Sequence, residues 1–160
     1  MVIRIANTSD HDQIWDIYRN VVSAGDTYAF PPDANKGDLS TYWFTPSMKT
    51  YVADEGGKIL GTYFMKPNQP GLGAHIANCG YMVSPEARNR GIGKLLCKHS
   101  LEEAKAMGFK GMQFNYVVST NKVAIALWEK LGFRIIGTTP GGFRHSRLGF
   151  VDTHIMYKAL

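Results

Sequence analysis

The sequence is poor in the features that mark several large classes of protein. Only two cysteines occur, Cys79 and Cys97, and they lack Cys-x-x-Cys spacing. A disulfide scaffold and a cysteine-built zinc site are therefore not expected, and two reduced, buried thiols are. The five histidines do not gather at metal-ligand spacing, so no metal is expected either. No apolar run nears the ~20 residues that a helix needs to cross a bilayer. Met1-Val2-Ile3-Arg4 opens no signal peptide, and a cytoplasmic location without membrane contact is the expectation. There is no run of Lys and Arg and no interleaving of aromatic with basic residues, so nucleic acid is not an expected partner. Repeats, low-complexity tracts and interdomain linkers are missing too.

What is present is ordinary for a soluble globular protein. The 160 residues are 44% hydrophobic and 19% charged, which predicts one domain over 1–160 with a substantial core. The net charge of +5 permits an anionic partner. Val2 to Ala6 alternates like a strand. Asn7 to Asp10 offers N-caps, with Gln13 placed as in a capping box with Asp10, and Ile14, Ile17, Tyr18, Val21 and Val22 form a helical stripe that Gly25 ends. Asp26 to Ser47 is aromatic and proline-interrupted, and reads as a loop with a short helical turn. Thr50–Ala53 and Ile59–Met65 read as a hairpin around Asp54-Glu55-Gly56-Gly57-Lys58. His75–Val83 is the next strand, and a helix from Ile92 ends at Met107-Gly108. Met112–Val118 follows as a strand with Phe114, Tyr116 and Val118 on one face. A helix capped by Thr120 or Asn121 turns Ala124, Leu127, Trp128 and Leu131 inward. Phe133–Thr138 and Val151–Tyr157 are the last strands, with a flexible connection through Pro140-Gly141-Gly142 and Arg144-His145-Ser146-Arg147.

The stretch from Tyr81 to Leu96 organises the chain. Pro85 stops the strand, Ile92, Leu95 and Leu96 begin a helical face, and between them stands Arg88-Asn89-Arg90-Gly91-Ile92-Gly93-Lys94. Gly91 and Gly93 let the backbone turn tightly and lie close to a ligand. The helix start adds unpaired N–H groups and a positive dipole end, with Arg88 and Arg90 alongside. That combination suits a pyrophosphate. An anionic ligand there accounts for the local charge at Arg88, Arg90, Lys94 and Lys98.

Val83-x-Pro85-x-x-Arg88-x-x-Gly91-x-Gly93 resembles the acyl-CoA pyrophosphate loop of the GCN5-related N-acetyltransferases (GNAT family). A second match follows in Asn121-x-x-Ala124-x-x-Leu127-Trp128-x-x-x-Gly132-Phe133. The resemblance implies an α+β fold: a mixed, mostly antiparallel central sheet splayed between the fourth and fifth strands, with helices on both faces. It implies acetyl-CoA as cosubstrate, its pantetheine arm lying in the splay as a surrogate strand. Met82, Val83, Arg88, Asn89, Arg90, Gly91, Ile92, Gly93 and Lys94 would contact it, a backbone N–H near Met82 or Val83 holding the carbonyl oxygen.

Asn78 stands where the phosphinothricin acetyltransferases, which the chain also resembles, present a glutamate. An amide is no base near neutral pH, but it can orient an acceptor through both its ends. His75-Ile76-Ala77-Asn78-Cys79-Gly80 is similar to a yeast acetyltransferase of the proline analogue azetidine-2-carboxylate, in which an asparagine of this strand is essential. By the same likeness Asn115 and Asn121 would sit beside the acetyl and pantetheine groups, or tie backbone groups in the core. Trp128 replaces a tyrosine that protonates the leaving sulfur in many relatives. A thiol of pKa about 8.5 can depart without that help. Cys79 as a nucleophile is disfavoured, since His75 on the same strand face lies about 13 Å away by strand rise. Tyr28, Phe30 and Tyr116 either line the acceptor site or simply pack.

The expected activity is transfer of acetyl from acetyl-CoA to a small amine, in its sharper form an amino acid or proline analogue. An acyl-CoA-binding sensor without turnover and an N-acetyltransferase of proteins or peptides are the alternatives. Relatives of this kind are often homodimers.

Overall fold

A computed structural model describes all residues, 1–160. Its centre is a seven-stranded mixed sheet, built from β1 (Val2–Ile5), β2 (Lys49–Glu55), β3 (Lys58–Pro67), β4 (Ile76–Val83), β5 (Gly111–Val118), β6 (Arg134–His145) and β7 (Gly149–Ala159). The spatial order is β1-β2-β3-β4-β5-β7-β6, and every neighbouring pair is antiparallel except β4 and β5. Helices α1 (His11–Ser23) and α2 (Asp38–Tyr42) precede β2, α3 (Ile92–Ala106) joins β4 to β5, and α4 (Lys122–Lys130) joins β5 to β6. The mixed sheet with helices on both faces is the architecture expected from the sequence.

Period-2 alternation along β2 divides the core. Tyr51 and Ala53 enter a cluster with α3 and α4, while Val52 joins α1 and α2 on the other face. Ile14, Ile17, Tyr18 and Val22 of α1 pack with Trp43 and Phe64 in that second cluster. Helix α3 approaches β3 closely. A Cβ on Gly61 would lie 3.0 Å from Ile92, Leu96 and the Met82 carbonyl, so only glycine lets the start of α3 sit over the sheet. Truncating fully buried Leu96 to alanine would cost about 2–5 kcal/mol.

Three local expectations are corrected. The capping box is formed by Asn7 and Asp10 at a 3-10 turn ahead of α1, and Asp10 is itself held by Arg4 at 2.7 Å. Gln13 instead bridges to the β2–β3 hairpin, donating to the Gly57 carbonyl and accepting from the Ile59 N–H. In β5 an irregularity between Phe114 and Val117 breaks the alternation, so Val117 joins Phe114 in the core and Tyr116 turns outward. The stretch 140–147, expected as a flexible connection, mostly belongs to the long edge strand β6, whose turn into β7 comes at 146–148. Pro140 fits because the ladder to β7 is interrupted between Thr139 and Phe143 and the strand's other edge is open. Its glycines and exposed residues carry no apolar alternation, which hid the strand.

The consequence for function lies between β4 and β5. Their parallel pairing consists of Ile76 with Gly111 and Ala77 with Met112, and beyond that the strands part. The sheet splays where the resemblance implied.

Candidate active site

The loop after β4 turns through a 3-10 segment at Pro85–Ala87, Asn89 at φ 63° and Gly91 at φ 75°. Gly91 is the N-cap of α3 and has no side chain to satisfy the helix start. The N–H groups of Gly91, Ile92, Gly93 and Lys94 find no protein acceptor. The left-handed φ favours glycine at Gly91, but lack of space does not force small residues at either position. A Cβ on Gly91 would meet nothing within 4 Å, and one on Gly93 only ordinary contacts with Leu127 and Val83. Open space over four unpartnered donors fits a diphosphate. Arg88, Lys94 and Lys98 are exposed and free of ion pairs, whereas Arg90 forks onto both carboxylate oxygens of Glu55 at 3.0 Å. The guanidinium of Arg90 is thus engaged by the β2–β3 hairpin.

The parted strands open a cavity of about 270 Å³. Asn78 of β4, Asn115 and Tyr116 of β5, Asn121 before α4 and Trp128 on it all line it, as do Tyr28 and Phe30 from the loop after α1. These predicted residues, scattered along the chain, therefore share one space, from which the loop at 88–94 is separate. Asn78 is buried, and its Nδ2 donates to the Gln113 carbonyl at 2.9 Å, bracing the wedge where pairing stops. Its Oδ1 has no partner. Asn121 caps α4 by accepting from the Ala124 N–H at 3.3 Å, and its Nδ2 stays free. Asn115 is engaged at both ends, accepting from Gln113 and donating to Asn68. Tyr116 donates to the Gly142 carbonyl, tying β5 to β6.

Tyr28 donates to the Tyr81 carbonyl at 2.7 Å and stacks on Phe30. A Cβ at Gly80 would lie 2.6 Å from the Phe64 ring and 3.2 Å from the Tyr28 hydroxyl, so glycine in β4 admits both side chains. Trp128 packs against Tyr81, Phe114 and Phe133 and leaves its indole N–H unpartnered. Sequence reasoning missed Thr27, whose buried Oγ1 has no hydrogen-bond partner and lies on the cavity wall. No motif signals such a residue.

No Asp, Glu, His, Lys or Arg lines this cavity. Burial pushes the phenols of Tyr28 and Tyr81 and the thiol of Cys79 well above their ordinary values, so all are neutral near pH 7. Burial likewise pushes the Cys97 thiol up to about 12. No group of three or more His, Cys, Asp or Glu stands together to hold a metal ion.

The sequence model of the acetyltransferase (GNAT) family matches residues 12–133, spanning both the helix start and the wedge. The chain belongs to this family. It is 40% identical over 111 residues to N-acetyltransferase aca1 of Schizosaccharomyces pombe, covering 69% of this chain and 53% of that protein. The chain thus spans about half the length of that curated relative. A GCN5-related N-acetyltransferase from Kribbella flavida superimposes with a TM-score of 0.94 at 43% identity, covering 99% of this chain and 97% of the other. A phosphinothricin acetyltransferase from Sinorhizobium meliloti, solved in complex with acetyl-CoA, gives a TM-score of 0.88 at 25% identity, covering 99% and 88%. The sequence-based likeness to a yeast acetyltransferase and to phosphinothricin acetyltransferases is matched by these relatives.

Proposed function

We propose that the chain transfers acetyl from acetyl-CoA to the amine of a small molecule by direct attack. The observation that carries this reading is the pairing of four unpartnered N–H groups at the start of α3 with a wedge between β4 and β5. The donor supplies an acetyl thioester whose carbonyl carbon accepts the amine nitrogen and whose sulfur leaves. In this reading Gly91 to Lys94 hold the diphosphate, with Arg88 and Lys94 adding charge. A backbone N–H of β4 near Met82 or Val83 polarises the thioester carbonyl, at the price of no side chain. Asn78 offers its free Oδ1 to an amine N–H and orients the nitrogen, its other end being fixed by Gln113. Asn121 and Trp128 present N–H donors along the arm of the donor. The cavity supplies no base, so the amine arrives neutral from solution and its proton returns there.

A space of about 270 Å³ favours a compact acceptor over a folded protein. Thiol release from acetyl-CoA with small amines and with peptides tests the reading. Release with small amines is the expected result. Acetyl-CoA binding without release from any amine would replace it with a sensor role, and release with peptides alone would replace it with peptide N-acetylation.

A further inference from the structure

Lys66 stands at the border of the acceptor cavity. It pairs with Asn78 across β3 and β4, so the two side chains leave the same face of the sheet with Cβ atoms about 5 Å apart. Phe64, two residues earlier on that strand face, lines the cavity, and the Lys66 Nζ lies over its ring, 5.9 Å from the centroid. Lys66 is half-buried and forms no ion pair. An uncompensated point charge therefore adjoins two walls of the cavity, one of them the asparagine with the free Oδ1.

Few other groups face this space. Strands β3, β4 and β5 carry no carboxylate. From β4 come Cys79 and Tyr81, from the loop after α1 Tyr28 and from α1 Tyr18, all held neutral by burial. β5 adds Tyr116, which is bonded to Gly142. Lys49 of β2 stands opposite Met65, hence on the other face of the sheet from Lys66. His75 is exposed at the end of the turn between β3 and β4. Asp33 and Asp38, in the loop after α1 and at the start of α2, form no ion pair with Lys66. Asp26, with His145 and Arg147 from the tip of the β6–β7 hairpin, lines an adjoining cleft that shares Thr27 and Asn121 with the cavity.

Resting on the acetyl-transfer reading above, we infer that Lys66 keeps the bound acceptor in its neutral, reactive form by repelling the ammonium form from the place beside Asn78. An ammonium has no lone pair with which to attack a thioester, yet it donates to the Asn78 Oδ1 as readily as an amine does. In a cavity without a base, a seated ammonium is a dead-end complex. A positive charge at the wall opposes that complex at the binding step, and the proton stays in solvent. Across ~8–10 Å of partly dry protein, a unit charge moves such an equilibrium by roughly one pH unit. Lys66 touches no reacting atom in this account and acts through its field alone.

The test is thiol release from acetyl-CoA across pH 6 to about 9.5, with whichever of azetidine, azetidine-2-carboxylate and benzylamine is used fastest. In the native protein kcat should level at a lower pH than the amine's solution pKa, whereas kcat/KM should level at that pKa. Lys66→Met keeps the aliphatic stem and should move the kcat inflection up by at least about half a pH unit. Below the inflection kcat and KM should then fall together by about three-fold, leaving kcat/KM unmoved, as dead-end binding requires. Lys66→Glu should move the inflection further the same way, and Lys66→Arg should restore the native profile. Identical kcat profiles in all four proteins, or a loss of kcat/KM at every pH, would overturn the role of Lys66 and leave acetyl transfer standing. No release from any amine by protein that binds acetyl-CoA would overturn both together.

Discussion

The two ends of the site are built on opposite principles. At the start of α3 the recognition groups are backbone N–H donors, and the side chains matter chiefly by being absent at Gly91 and Gly93. In the wedge the backbone is merely the frame, and Tyr28, Asn78, Asn121 and Trp128 arrive from three separate segments. One end is charged, open and local in sequence, whereas the other is uncharged, half-closed and assembled by the fold. The difference teaches where each end is vulnerable. Bulk should destroy the first, and loss of a single polar atom should damage the second.

The largest expected effect comes from filling the first region. Gly93→Glu places a carboxylate over the free N–H groups at a position whose backbone requires no positive φ, so folding should survive. Calorimetry should show acetyl-CoA affinity reduced by at least ~100-fold, from bulk and like charge together. Unchanged affinity would break the comparison at that end. In the wedge, Asn78→Ala should lower kcat by about 10²-fold in thiol-release assays. Acetyl-CoA affinity should stay within about three-fold, since that end is held elsewhere. Equal losses in both parameters would merge the two regions into one. The smallest effect is expected for Tyr28→Phe, which strips the hydrogen bond to the Tyr81 carbonyl. Thermal unfolding should register about 1–2 kcal/mol of lost stability, with KM for the amine rising and that for acetyl-CoA unmoved.

This contrast also governs how much could be read from residue order alone. The Arg-x-x-Gly-x-Gly loop was legible because its chemistry is local: a strand stop, two glycines and an amphipathic helix occur in one run. The α+β class and the splayed sheet followed with it. Asn78 and Trp128 were singled out through likeness to relatives, and the cavity gathers both. The ion pair of Arg90 with Glu55 was not legible, because the β2–β3 hairpin that carries Glu55 lies far away in the sequence. The bonds of Asn115 to Gln113 and Asn68 were equally hidden, Asn68 lying in a distant turn. The second half of β6 was illegible, since an edge strand that tolerates Pro140 and a ladder interruption lacks apolar alternation. Losing that strand also hid His145 and Arg147, whose positions depend on the hairpin tip clamping onto Gly25.

The absence of any carboxylate, imidazole or amine side chain from the acceptor cavity is the central claim, and pH reads it directly. Burial keeps Tyr28, Tyr81 and Cys79 protonated well beyond their ordinary ranges, so none becomes a base between pH 6 and about 9. The measurement is kcat/KM for two acceptor amines of different basicity, followed by thiol release from acetyl-CoA across that range. The account predicts a rise of about ten-fold per pH unit, levelling only at each amine's own pKa. An inflection at one shared pH for both amines would expose a base supplied by the protein and contradict it.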